Sequence, residues 1–261
     1  MRTVEKALKL LGFFDQDRPA IGLSDMARLS GLDKATTHRM LTALAAYGFV
    51  EQDVRSKQYR LGASVLQLAR VREATFPVTA ITQPILAQLT ARTGETSHLS
   101  LLAGRKLAIV GVAESSRANR VFVEPGLHPP FHATASGIAV LAFSPPALLE
   151  RLLTKPLERF TPRTIVEAAA LRKAVGDAAR AGFGQSDQGF EADVYGIAAP
   201  LFDTAGAVSG AVAVAAPASR IDAQARSAIG GAVIAAAIEI TRALGAEPPA
   251  AYRALNVQTA A

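Results

Sequence analysis

Two groups of residues have types and spacing that could do chemistry. The first is cationic and hydroxyl-bearing: Lys34, Thr36, His38, Arg39 and Thr42 fall within nine residues, and Arg55 and Lys57 follow. A guanidinium fork pairs with phosphate or with a guanine edge, and short hydroxyls reach either. The second group is acidic and aromatic. Glu191, Asp193 and Tyr195 alternate, so they would share one face if the stretch is extended. With His98 or His132 they could coordinate a metal or hydrogen-bond a hydroxyl or amine on a ligand. The alternative is that Glu191 and Asp193 solvate a loop and that both histidines pack with satisfied hydrogen bonds. His128, beside Pro129 and Pro130, reads as surface. No G-x-S-x-G elbow, H-E-x-x-H, P-loop or dinucleotide-binding glycine pattern occurs, so no catalytic residue is assigned. The chain is expected not to be an enzyme. The competing reading is a metabolite- or metal-binding enzyme or sensor that does not touch DNA.

The 261 residues allow one large domain or two ordinary ones. Half are apolar and 19% charged, which excludes a disordered tail protein. Cysteine is absent, which removes disulfides, thiolate metal sites and a cysteine nucleophile. The net charge is +6, and residues 1–75 hold 12 Lys/Arg against 8 Asp/Glu, so most of the excess sits in under a third of the chain. That balance suits a polyanionic partner. The opening MRTVEKALKLLGFF lacks the h-region of a signal peptide. The apolar run Ile229–Ile238 is short of the roughly 20 residues that cross a bilayer. A soluble, cytoplasmic protein with no membrane partner is expected.

The elements that must position the basic group follow from periodicity. Val4, Ala7, Leu8, Leu10 and Leu11 recur at helical spacing and run into a polar turn over residues 15–20. Ser24 reads as the N-cap of a second helix that stops at Gly31, and Asp33 as the cap of a third, KATTHRMLTALAAYG. Helix, short glycine-containing turn, helix is the helix-turn-helix pattern. On the third helix Thr37, Met40, Leu41 and Leu44 face inward, while Ala35, His38, Arg39 and Thr42 face outward and suit a major groove. Lys34 and Thr36, in its first turn, sit where backbone N–H groups favour phosphate. FVEQ and QYRL flank a polar turn and read as a hairpin wing, with Arg55, Lys57 and Tyr59 counted among its DNA-facing residues.

The strings TVEKALKLL, LSDMARLSGLDKATTHRMLTALAAYGFVEQD and YRLG resemble the winged helix-turn-helix of the IclR-type (isocitrate lyase regulator) transcription factors. There the motif reads close to GLPKSTVHRLL, and the wing ends in YRLG. Here Asp33 stands for Pro, Ala35 for Ser and Thr37 for Val. The first is a better cap, and Ala35 gives up a phosphate or base contact. The resemblance implies a regulator, a repressor or dual regulator of a catabolic operon, that binds a double-stranded DNA operator. It continues through TGETSHLSLL, PPFHATASGIAVLAF, AGFGQSD, GIAAPLFD and ASRI, which implies a GAF-like effector domain. One reading helix per chain favours a homodimer or a dimer of dimers, with half-sites one turn or multiples apart.

Later periodicity fits that architecture: an α+β fold with an antiparallel sheet. Residues 1–62 are expected to form the winged helix-turn-helix, 63–76 a linker helix, 77–246 the effector domain and 247–261 a flexible tail. Strands are expected at SHLSLLA, KLAIVGVAE, NRVFVEPG, YGIAAPLFD and AVSGAVAVAA, with a turn at Gly104-Arg105. The resemblance implies an effector held at the start of the helix after the PFHAT segment, here Ala135, Ser136 and Gly137, where a helix N-terminus favours an anion. It also implies that an acidic position of relatives falls on Ser186, a cysteine position on Gly196 and two strand serines on Ala213 and Ala215. The wall is then less polar than in sensors of 2-oxo acids. A larger, partly apolar carboxylate is expected, with no required cofactor and a bound metal disfavoured.

Overall fold

A computed structural model describes residues 2–15, 18–104 and 106–259. Gln16 and Asp17 of the expected turn, Arg105 of the hairpin turn, and Ala260 and Ala261 of the expected tail lie outside the described residues. The chain divides into two compact units, 1–77 and 78–261.

The first unit runs α1 (Arg2–Leu11), β1 (Ala20–Ile21), α2 (Leu23–Ser30), α3 (Lys34–Ala46), β2 (Val50–Gln52), β3 (Tyr59–Leu61) and α4 (Ala63–Thr75). The three strands pair antiparallel in the order β1-β3-β2. Leu10, Ile21, Met26, Leu41, Leu44 and Val50 form its core. Two local outcomes differ in kind. Asp33 caps α3, its carboxylate accepting from the Thr36 N–H at 2.8 Å. Ser24 does not cap α2; Gly22 holds the cap position in extended backbone without a side-chain bond, and α2 starts at Leu23. Gly31 ends α2 at φ 69°, a left-handed conformation that glycine adopts without a Cβ clash.

The second unit runs α5 (Val78–Thr93), β4 (Thr96–Ala103), β5 (Lys106–Ala113), α6 (Ala135–Phe143), α7 (Pro146–Leu152), α8 (Ala168–Ala181), β6 (Gly184–Asp187), β7 (Val194–Phe202), β8 (Val208–Pro217), a 3₁₀ turn (Ala218–Arg220), α9 (Ala223–Ala243) and α10 (Ala250–Thr259). The sheet is antiparallel, in the order β5-β4-β8-β7-β6. Because side chains alternate across a strand, Leu99, Ile197, Leu201, Val212 and Val214 meet α5 and α9 on one face. Ala198 and Ala213 meet Ala135 and Ala139 of α6 on the other. α9 is long and apolar enough to cross a membrane by length and composition alone, yet Val233, Ile234, Ala237 and Ile240 lie in this core.

Two expectations give way here, and two strands are added. The segment NRVFVEPG forms no sheet strand; its alternation is real, since Val121 and Val123 are buried against Ile109 and Ala215. The flexible tail contains a helix, α10, because Tyr252 is buried, its ring packed against Phe143 and Phe202. The Tyr252 hydroxyl donates to the Gly182 carbonyl at 3.0 Å. The short strands β1 and β6 carried too few apolar residues for periodicity to reveal them.

Candidate functional site

On α3 the outward face is as the wheel requires. Lys34, Ala35, His38, Arg39 and Thr42 are exposed, whereas Thr37, Leu41 and Leu44 are buried. Arg39 Nη2 donates to Thr36 Oγ1 at 3.2 Å, which pre-orients the guanidinium along the first turn. At the wing tip the Asp53 carboxylate accepts from the backbone N–H of Ser56 at 2.7 Å and of Arg55 at 3.0 Å. The Ser56 amide, before other donors, holds the Asp53 carboxyl below the usual carboxylate range. Arg55 and Lys57 stand exposed on this turn, Lys57 in left-handed backbone at φ 58°. Tyr59 corrects its assignment. It lies on the central strand with its side chain only 4% exposed, in the core with Ile21 and Val50, so it is closed to DNA; Arg60, next along, points out.

In the second unit α6 builds a cavity of about 100 Å³ with mostly apolar walls. Its residues Ala135 and Ser136 line it, together with Gly196, Ala213 and Ala215 of the sheet, His98 of β4, and Ser186 and Glu191. These expected residues therefore come together. Thr134 caps α6, accepting from the Gly137 N–H at 3.1 Å and donating to the Pro130 carbonyl at 2.8 Å. Helix geometry leaves the N–H groups of Ala135 and Ser136 without intrahelical acceptors. Close packing sets the position of α6: a Cβ on Gly137 would stand 2.3 Å from the Phe131 Cα, and one on Gly184 2.6 Å from the Ala135 carbonyl oxygen.

Four expected residues do not enter the cavity. The Gly137 amide is taken by Thr134, as above. His132 is buried elsewhere, its Nε2 2.8 Å from the Glu158 carbonyl oxygen and its ring beside Phe160. Asp193 sits in left-handed backbone at φ 61°, which breaks the extended stretch assumed for Glu191, Asp193 and Tyr195. Tyr195 points through the sheet to the α9 side, its hydroxyl donating to Gln185 Oε1 at 2.8 Å. Among the described residues no three His, Asp or Glu approach closely enough to hold a metal ion.

The missed lining comes from the segment before α6: Val121, Val123, Leu127 and Pro129, with His128 exposed yet at the rim. His128 Nδ1 lies 2.7 Å from the Leu107 carbonyl oxygen. Two titratable groups are perturbed. Burial pushes the His98 imidazole down to about 4, so it is neutral near pH 7. Burial also pushes the Glu191 carboxyl upward.

A helix-turn-helix with a wing, followed by an α+β unit that holds a small cavity, is the architecture of a DNA-binding regulator. The family description "IclR helix-turn-helix domain" matches residues 3–54, and "Bacterial transcriptional regulator IclR C-terminal" matches residues 74–242. The chain belongs to the IclR family and is a DNA-binding transcriptional regulator, not an enzyme. It is 28% identical to the HTH-type transcriptional regulator XynR of Escherichia coli K12 over 94% of this chain and 98% of that one. A crystal structure assigned as an IclR transcriptional regulator from Silicibacter sp. TM1040 is 44% identical, with a TM-score of 0.90 over 95% of this chain and 98% of that one. An IclR homologue from Microbacterium hydrocarbonoxydans, complexed with 4-hydroxybenzoate, is 26% identical, with a TM-score of 0.73 over 93% of this chain and 98% of that one.

Proposed function

We propose that the cavity takes a small, partly apolar carboxylic acid and that its occupancy sets the operator affinity of the first unit. In this reading α3 enters a major groove with Lys34, Ala35, Thr36, His38, Arg39 and Thr42, while Arg55 and Lys57 meet the sugar-phosphate backbone. The protein acts as a repressor or dual regulator of a catabolic operon, in the bacterial cytoplasm, as a homodimer or a dimer of dimers. Two-fold pairing then sets half-sites about 34 Å, or multiples of that, apart. No cofactor beyond the effector is invoked.

The observation that carries the ligand reading is the mouth of α6. Ala135 and Ser136, whose N–H groups lack intrahelical acceptors at the positive end of a helix, line a space walled largely by carbon. An acid with an apolar body satisfies both features, and the Microbacterium relative holds one. A thermal-shift screen of organic and aromatic acids tests it. A ligand at about 100 times its Kd stabilises by about 2.7 kcal/mol. Ser136→Trp fills the cavity beside α6 and should abolish the shift. A hit that binds this variant unchanged would place the pocket elsewhere.

A further inference from the structure

This inference rests on the acid-effector reading and refines it. Three of the six polar side chains that line the cavity, Thr134, Ser186 and His128, are committed to the protein. Thr134 and Ser186 donate their hydroxyls to the carbonyls of Pro130 and Ala133, and His128 Nδ1 is bonded to Leu107. His98 is different. It lines the cavity, yet its Nδ1 is enclosed without a hydrogen-bond partner. Ser100 Oγ, two residues further along the same face of β4, is the other such atom among the described residues. Buried polar atoms are normally paired, because an unpaired one gives up its bonds to water with nothing in return. Nδ1 itself is closed to a water-sized molecule, but His98 is only partly buried and its ring makes no hydrogen bond to the protein, so the side of the imidazole that lines the cavity is free to meet a ligand atom.

Register places it. His98 and Ala198 both lie opposite Ala213, on either side of β8. α6 packs on Ala198, and its first turn stands beside Gly196. The anion-binding end of the cavity thus lies over β7 and the imidazole on β4, two strand spacings or about 9.5 Å apart. Between them the floor is Ala213 and Ala215, and Ile109, Val121 and Val123 add further apolar lining. A ligand that reaches both ends has a carbon middle.

We infer that His98 is the specificity-determining residue of the cavity, and that the effector is a monocarboxylic acid whose far end, beyond an apolar middle, carries an uncharged hydroxyl. A hydroxyl donates and accepts, so it fits either tautomer of a neutral imidazole. A second carboxylate there would find no lysine or arginine among the lining residues.

The test uses the full-length protein and calorimetry with 4-hydroxybenzoate, benzoate and terephthalate, on the wild type and on His98→Phe and His98→Gln. The wild type should bind 4-hydroxybenzoate about tenfold or more tighter than benzoate, and terephthalate weakest. His98→Phe should keep benzoate binding and erase the hydroxyl preference; His98→Gln, which retains a neutral hydrogen-bonding group, should recover part of it. Melting of the unliganded variants reports whether they fold. Equal wild-type affinities for benzoate and 4-hydroxybenzoate, or a preference unchanged in His98→Phe, would overturn the role of His98 while leaving an acid effector standing. No binding by any of the three acids would overturn the acid reading and this inference together.

Discussion

Substituting Gly137 by alanine sets two magnitudes against each other. Gly137 lies in the first turn of α6, and within a helix Gly→Ala is worth up to about 1 kcal/mol of stability. The new Cβ, however, would stand 2.3 Å from both the Cα and the carbonyl oxygen of Phe131. Those are backbone atoms, so no rotamer change relieves the clash. Overpacking of this kind costs about 1–3 kcal/mol or somewhat more, because chain must move. The segment that moves holds Thr134, whose hydroxyl caps α6 through Gly137, so a further cap energy of about 1 kcal/mol is at risk. The net expectation is a loss of about 2 kcal/mol, or roughly 4–8 °C in melting temperature for a unit of this size, with a weakened acid-induced shift. Gly176 in α8 is the control: a Cβ there meets only the end of Arg180 at 3.6 Å, so Gly176→Ala should be neutral or stabilising. Denaturant unfolding of both variants decides. If Gly137→Ala is as stable as the wild type, the close approach of α6 to residue 131 is wrong, and with it the position of the amides assigned to the ligand.

Arg39→Ala should weaken binding to the specific operator by about 1–3 kcal/mol and relax preference at one base pair, whereas Lys57→Ala should weaken all sequences alike and flatten the salt slope. Binding isotherms on specific and scrambled duplexes at several salt concentrations separate the two, and wild-type behaviour by both variants would sink the α3 and wing assignments. Tyr59→Phe should leave DNA affinity unchanged, since the ring is in the core; a loss confined to DNA binding, with melting intact, would return Tyr59 to the interface. His98 titrates near 6.5 in the unfolded chain and near 4 when folded, so between those values only the unfolded chain takes the proton. Stability is complete above about pH 6.5 and is lost as pH falls toward 4, by up to about 3 kcal/mol. Unfolding at pH 7 and pH 5 should therefore cost the wild type more than His98→Phe, and equal losses would refute the buried neutral ring.

The DNA-reading unit was largely legible in the sequence because its signals are local. A cap residue, a glycine stop and a helical wheel each act within a few residues, and Asp33, Gly31 and the outward Arg39 sit where those rules put them. Tyr59 failed because its burial depends on β1, a two-residue strand without a periodic signal. In the second unit the α6 start and the alanine floor were reached through family resemblance. Val121 and Val123 read as a strand because alternation reports burial but not pairing. Glu191, Asp193 and Tyr195 were grouped on the assumption of extended backbone, and one left-handed residue, Asp193, separates them. His98 was visible as a candidate, but its lack of a partner depends on neighbours distant in the chain and emerges only once the sheet is assembled.

The central claim couples the two units: acid in the cavity changes how the first unit holds DNA. Footprinting of the operator region with the full-length protein, with and without an acid that raises its melting temperature, tests this directly. The account predicts a protected near-palindrome with half-sites one helical turn or multiples apart, whose protection changes on adding the acid for the wild type but not for Ser136→Trp. A footprint indifferent to a bound acid, or no protected near-palindrome at all, would contradict it.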